Sequence, residues 1–195
     1  MPFTLLTNGG GILEKERAHK INTALADDSS PIDASNLILC HTPLSDPKFV
    51  DKYRDSFVVV SGLGNVLDVA LHYGYKKAID ILELYALFPN ACPGIKDIDP
   101  IPLRNKVVKR LGYNSVQELK RNLKIEAFLL LSDAVNLEMN LQFMCDLAAS
   151  KDGRIDGGLF TKDFQRGHGE PQQVKLYMTN PDLEYANSFA WPRHG

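Results

Sequence analysis

The chain has no apolar run approaching the ~18 residues that a membrane span needs, no lysine or arginine block, and three cysteines in 195 residues. Each shortage excludes something. Without a long apolar run no spanning helix is expected, and because the first basic residue is Lys15, no charged region precedes an apolar signal core. Without a basic block, and with a formal net charge of -2, the sequence shows no electrostatic footprint for nucleic acid or an anionic membrane. Cys40, Cys92 and Cys145 are odd in number and far apart, which suits reduced thiols in an intracellular compartment and no disulfide framework. The five histidines (His19, His41, His72, His168, His194) have neither the spacing nor the cysteine company of a zinc site, so no metal is expected on protein nitrogen or sulfur.

What is present is a globular composition, 44% hydrophobic and 24% charged, enough for one good core or two small ones. Buried strands are predicted at Phe3 to Thr7, Leu37 to Cys40, Phe57 to Val60, Ala127 to Leu131 and Lys175 to Met178. Helical patterns lie between them. Ala18, Ile21 and Leu25 predict a helix from Glu14 to Leu25, and another runs from Asn65 to Tyr73 with Gly74 ending it. Leu137, Leu141, Met144 and Ala148 repeat at spacings of four, three and four, which predicts a helix with that stripe in the core. Alternating strands and helices indicate an α/β fold with a largely parallel sheet. Leu87 to Pro102 has four prolines and no period, and reads as a loop or insertion.

The segment FTLLTNGGG, Phe3 to Gly11, carries the most chemistry. Glycine has no side chain to hold an anion away from its N–H, Thr7 adds a hydroxyl, and the following helix brings its positive end to the same loop. A phosphate site and a plain tight turn both fit these residues. Because an apolar strand of a parallel sheet is usually flanked on both sides, a strand starting at Phe3 also predicts further polypeptide ahead of residue 1.

Other constellations are weaker. Gly62-x-Gly64 follows a strand and precedes a helix, the setting of a dinucleotide fingerprint, but Leu67 stands where the third glycine belongs, so a turn is expected, with nucleotide binding at Gly62 to Asn65 as the rival. Neighbours on a strand face opposite ways, so Cys40 and His41 are not expected to share a proton; Cys40 is read as core and His41 as a turn residue. Asp133, Asp182 and Glu184 remain candidate carboxylates.

Taken in order, TLLTNGGG with Glu14 and Arg17-Ala18, HTP at 41–43, VVVSGLGN at 58–65, HYGYKKA at 72–78, LLLSD at 129–133, LQFMCDLAASKDGR at 141–154 and LYMTNPDLEYAN at 176–187 resemble the haloacid-dehalogenase-type phosphohydrolases. The branch resembled is that of the cat-eye-syndrome-critical-region hydrolase and its fungal mitochondrial relatives. The resemblance implies a partial Rossmann-like core over 1–45, an α/β cap over 46–187, and a return to the core over 188–195. It implies that Thr7, Asn8, Gly9 and Gly10 grip the transferring phosphoryl group, and that Asn180 and Asp182 face substrate from the cap. The family's Asp-x-Asp nucleophile strand, its later lysine and its acidic magnesium ligands all lie outside residues 1–195. No catalytic residue is therefore expected within this chain, and magnesium is expected to bind elsewhere. Loss of a nucleophile commonly costs about a million-fold in rate, so the chain alone is expected to bind rather than turn over.

The implied full-length protein is a mitochondrial hydrolase acting on small phosphate esters through an aspartyl-phosphate, with a link to glycerophospholipid metabolism. A split core sheet predicts self-association. The rival of another class is a catalytically silent binding or interaction protein that keeps the loop and cap.

Overall fold

The strand β1 (Leu5–Thr7) stops where the glycines begin, and α1 (Glu14–Leu25) starts just beyond them. This computed structural model describes residues 3–25, 32–155, 171–180, 184–185 and 193–194. Strand β2 (Leu37–Leu39) returns parallel to β1, with Leu5 opposite Leu37 and Thr7 opposite Leu39. Ala18 of α1, Ile32, Leu37 and Leu39 form a small core there, joined by Leu5 and Ile21.

A second sheet follows. Helix α2 (Pro47–Tyr53) opens with proline in its first turn and Asp46 accepting from the Lys48 N–H. Next come β3 (Phe57–Ser61), α3 (Val66–Tyr73), β4 (Lys77–Asp80) and α4 (Ile81–Leu87). Gly74 closes α3 in the left-handed region, φ 107°, as predicted. Helices α5 (Pro100–Arg110) and α6 (Val116–Asn122), strand β5 (Ile125–Leu130), helix α7 (Leu137–Ala149) and strand β6 (Lys175–Met178) complete it. The strands lie in the order β4-β3-β5-β6, all parallel, so the chain has the expected α/β fold. Two short strands, β7 (Glu184–Tyr185) and β8 (Arg193–His194), pair antiparallel. Among the described residues no helix is long and apolar enough to cross a membrane.

Every residue of β3 is buried, as a strand covered on both faces requires. Phe57 and Val59 join one core with α4 to α7, while Val58 and Val60 join the other with α2 and α3. In β5, however, Ile125 and Phe128 share a face. The register against β3 slips after Phe57–Ile125, leaving Glu126 as the extra residue of a bulge, and the alternation resumes one step out of phase.

Three expectations need correction. The apolar stripe assigned to the core of α7 is displaced: Leu137 and Leu141 are 59% and 52% exposed, and the buried residues are Met139, Asn140, Phe143 and Leu147. The helix has two overlapping apolar stripes, and spacing alone does not say which meets the sheet. The proline-rich loop ends sooner than expected, because Pro100 and Pro102 fall in the first turn of α5, which Asp99 caps by accepting from the Ile101 N–H. Cys40, read as core, is only half-buried, whereas the turn residue His41 is fully buried.

Candidate functional site

From β3 the chain crosses to β4 on one side of the sheet, and β5 lies on the other. In open parallel sheets such a switch point leaves a crevice at the carboxyl ends of the strands, where ligands bind. The β1–α1 loop docks against this region. Asn65 N–H donates to Gly11 O at 2.7 Å, and Leu63 N–H donates to Asp133 O at 2.9 Å. Ser132 Oγ donates to Leu63 O at 3.0 Å, and Thr179 Oγ1 donates to Leu130 O at 3.0 Å.

Glycine makes this docking sterically possible. A Cβ on Gly11, whose φ is 76°, would stand 1.8 Å from Leu63 O. One on Gly10 would stand 2.7 Å from Leu131 O and 2.8 Å from Cys40 Sγ, and one on Gly64 2.4 Å from Gly11 O. Gly10 and Gly11 thus have a packing reason of their own, and the Gly62–Gly64 turn is covered by Ser132 and Gly11 rather than open as a dinucleotide cradle.

Thr7 ends β1, and its Oγ1 accepts from Gly9 N–H at 3.1 Å. Used as an acceptor there, the hydroxyl keeps its proton for another partner. Asn8 is exposed, and Thr7, Gly9 and Gly10 are partly exposed, so the loop faces solvent. Asn180 also lies at this end of the sheet, donating through Nδ2 to Asp133 Oδ1 at 2.5 Å. Asp182 lies outside the described residues. The candidate carboxylate Asp133 is thus engaged by Asn180, while its backbone carbonyl accepts from Leu63 N–H.

Arg17 is a charged group that the loop motif did not single out. It stands one turn into α1, and a Cβ on Gly9 would meet its Nη2 at 3.0 Å and Thr7 Oγ1 at 3.4 Å. Its Nε is buried without a hydrogen-bond partner among the described residues. A guanidinium beside the Thr7 hydroxyl offers paired N–H donors that fit carboxylate or phosphate oxygens. The available signal was periodicity: Arg17 falls one helical turn past the last loop residue, on the face that also carries Leu13.

Next to the loop a part-buried polar cluster ties the start of α1 to residues 41–42 and to α3. Glu14 accepts from Thr42 Oγ1 at 2.6 Å and from Tyr73 Oη at 2.5 Å. Because the Tyr73 phenol donates to Glu14, Tyr73 Oη is left to accept from His41 Nδ1–H at 2.8 Å, and among the described residues the buried His41 Nε2 has no hydrogen-bond partner. Burial opposes the Glu14 charge, but the hydrogen bonds from Thr42 and Tyr73 outweigh it and hold the carboxyl below its usual range. Burial pushes His41 down, so the imidazole is neutral near pH 7. Burial likewise pushes the Cys40 thiol up, and its Sγ–H donates to Leu131 O at 3.2 Å, so Cys40 is no thiolate nucleophile.

The arrangement brings a hydroxyl and a guanidinium together at a partly exposed loop, the donor types that an anion takes. Among the described residues no group of three or more histidine, cysteine, aspartate or glutamate side chains clusters as metal ligands do. The magnesium ligands that the resemblance implies fall on polypeptide outside residues 1–195.

No protein-family model matches the chain. It is similar to a cardiolipin synthase (CMP-forming) / mitochondrial hydrolase fusion protein of Schizosaccharomyces pombe, 27% identical over 195 residues, covering all of this chain and 29% of that protein. It is similar also to a mitochondrial hydrolase of Saccharomyces cerevisiae, 27% identical over 201 residues, covering all of this chain and 49% of that protein. The chain spans less than half the length of each of these relatives, whose names suggest a hydrolase family.

Proposed function

We propose that this chain is the phosphate-gripping and capping part of a haloacid-dehalogenase-type phosphohydrolase acting on small phosphate esters. The names of both relatives support a hydrolase and a mitochondrial location. One observation carries the finer reading: the partly exposed Thr7–Gly10 loop sits at the carboxyl ends of parallel strands, with Arg17 against Gly9. In this reading 1–45 belongs to the core, 46–187 to the cap and 188–195 to the return, with Thr7, Gly9 and Arg17 holding the phosphoryl oxygens and Gly10 setting the loop's depth. Asn180 positions Asp133 at the edge of the same region. The attacking carboxylate and the magnesium ligands belong to polypeptide outside the 195 residues, consistent with the share of each relative that the chain covers. A link to glycerophospholipid metabolism belongs to the same proposal.

The test compares the chain alone with a form extended upstream to include an Asp-x-Asp strand, using an aryl phosphate with magnesium and, separately, titration with vanadate. The extended form is expected to turn over. The chain alone is expected to bind vanadate without turnover, about tenfold more weakly after Thr7→Ala, the worth of about one charge-assisted hydrogen bond. Robust turnover by the purified 195-residue chain, or vanadate binding indifferent to Thr7→Ala, sinks the proposal. The second reading, a catalytically silent binding protein, is favoured by the Gly9 N–H being engaged by Thr7; it predicts an extended form that binds vanadate and stays inactive.

A further inference from the structure

The amino ends of the same strands carry a different chemistry. A cleft of about 290 Å³ opens there, lined by Lys52, Lys124, Lys151 and Lys175 and by two acids, Glu126 and Asp152. All four lysines are exposed. Among the described residues none of them forms an ion pair, whereas Asp152 is paired with Arg154 Nε at 3.1 Å. Glu126 shares the lining with the four lysines, of which Lys175 Nζ donates to Gln172 O at 3.1 Å and Lys52 Nζ sits over the Tyr53 ring, in a chain whose net charge is -2.

The backbone holds these positions firmly. Lys124 and Glu126 flank Ile125, whose N–H donates to Gly153 O at 2.8 Å, fixing the start of β5 against the turn that carries Lys151 and Asp152. Gly153 has φ 79°, and a Cβ on it would stand 1.9 Å from Ile125 O, so that turn presses onto the strand. Lys175 begins β6 opposite Ala127. Lys52 lies 4.9 Å from the Tyr53 ring centroid, and Tyr53 Oη is 2.9 Å from Tyr177 Oη of β6, which links α2 to that edge strand. The bulge at Glu126 belongs to the same construction, since it shifts the start of β5 by one residue.

Like charges gathered at fixed positions repel unless an anion joins them. Lysines are compact point charges suited to phosphate oxygens, and the volume is near the small end of small-molecule pockets. We propose that this cleft binds a small anion carrying two or more phosphate groups, at the opposite strand ends from the Thr7–Gly10 loop. The inference does not depend on the proposed function.

The experiment is calorimetric titration of the full 195-residue chain with inorganic pyrophosphate, alongside sedimentation with phosphatidylcholine vesicles with and without phosphatidylglycerol. Saturable pyrophosphate binding is expected, weakened by added salt and at least about tenfold weaker in K124E/K151E, each exposed charge contributing modestly. Vanadate binding at the Thr7–Gly10 loop should be unmoved by K124E/K151E, which separates the two sites. A control, K96E/K109E, alters the net charge equally away from the cleft, and K124Q/K151Q serves if the reversal disturbs folding. Binding only to phosphatidylglycerol vesicles, whose headgroups carry one phosphate each, overturns the proposal, because it reports attraction to an anionic surface rather than a site for linked phosphates. No binding of either probe, an affinity unmoved by K124E/K151E, or an equal loss in K96E/K109E overturns the proposal.

Discussion

Glu14 and His41 share one hydrogen-bonded cluster, yet acid disturbs each for a different reason. Glu14 is held below its ordinary value of 4.5, so its carboxylate stabilises the fold above that pH and the contribution is lost as pH falls through the lower folded value. His41 is held below its ordinary 6.5 by burial, so on acidification the unfolded chain takes the proton first and stability falls from about pH 6.5 downwards. The urea midpoint is therefore expected to be flat above pH 7, to decline below 6.5, and to decline again below 4.5. H41Q should weaken the first decline and E14Q the second. A wild-type midpoint constant from pH 8 to 5 contradicts the His41 assignment, and an E14Q midpoint that falls below pH 4.5 as steeply as wild type contradicts the Glu14 one. Neither role was visible in the sequence, where Glu14 was only the first residue of a predicted helix and His41 a turn residue, because the Tyr73 that joins them is 59 residues from Glu14.

Helix α7 shows what periodicity can and cannot say. Its position and length were legible from apolar spacing, but its buried face was not, since Leu137–Leu141 and Met139–Phe143 both recur at four. Replacing Phe143, which is fully buried, with alanine is expected to cost about 3–5 kcal/mol, while L141A at an exposed site should stay within about 0.5 kcal/mol. Chemical denaturation of the two variants measures the contrast. Equal losses would mean that the helix packs on the predicted stripe after all. Strand β4 and helix α4 were missed for a related reason. Lys77 to Asp80 is short and carries a charge at each end, and only its pairing with β3 makes it a strand.

The molecule as a whole combines a four-stranded sheet covered on both faces with a two-stranded one that is not. Leu6 of β1 is 77% exposed, its register partner Ile38 of β2 is exposed too, and so is Phe3 ahead of β1. Apolar residues on an open strand pair favour association. Sedimentation velocity of the 195-residue chain is expected to show concentration-dependent association that L6K reduces. A monomer at every concentration, with L6K indistinguishable, would remove that expectation. The same exposed strands agree with the proposal that the core sheet is completed by polypeptide outside these residues.

Local chemistry determined much by itself. Alternating apolar runs specified an α/β chain, glycine after an apolar strand specified the β1–α1 turn, and Gly74 specified the end of α3, because each depends on neighbours within a few bonds. Tertiary structure alone decided which groups meet. Arg17 reaches Gly9 only once α1 packs on its strand pair, and Gly10 is pinned only because Leu131 arrives beside it. Lys52, Lys124, Lys151 and Lys175 are scattered along a sequence with no basic block, and they form one positive cleft because parallel strands place all their starts at the same end of the sheet.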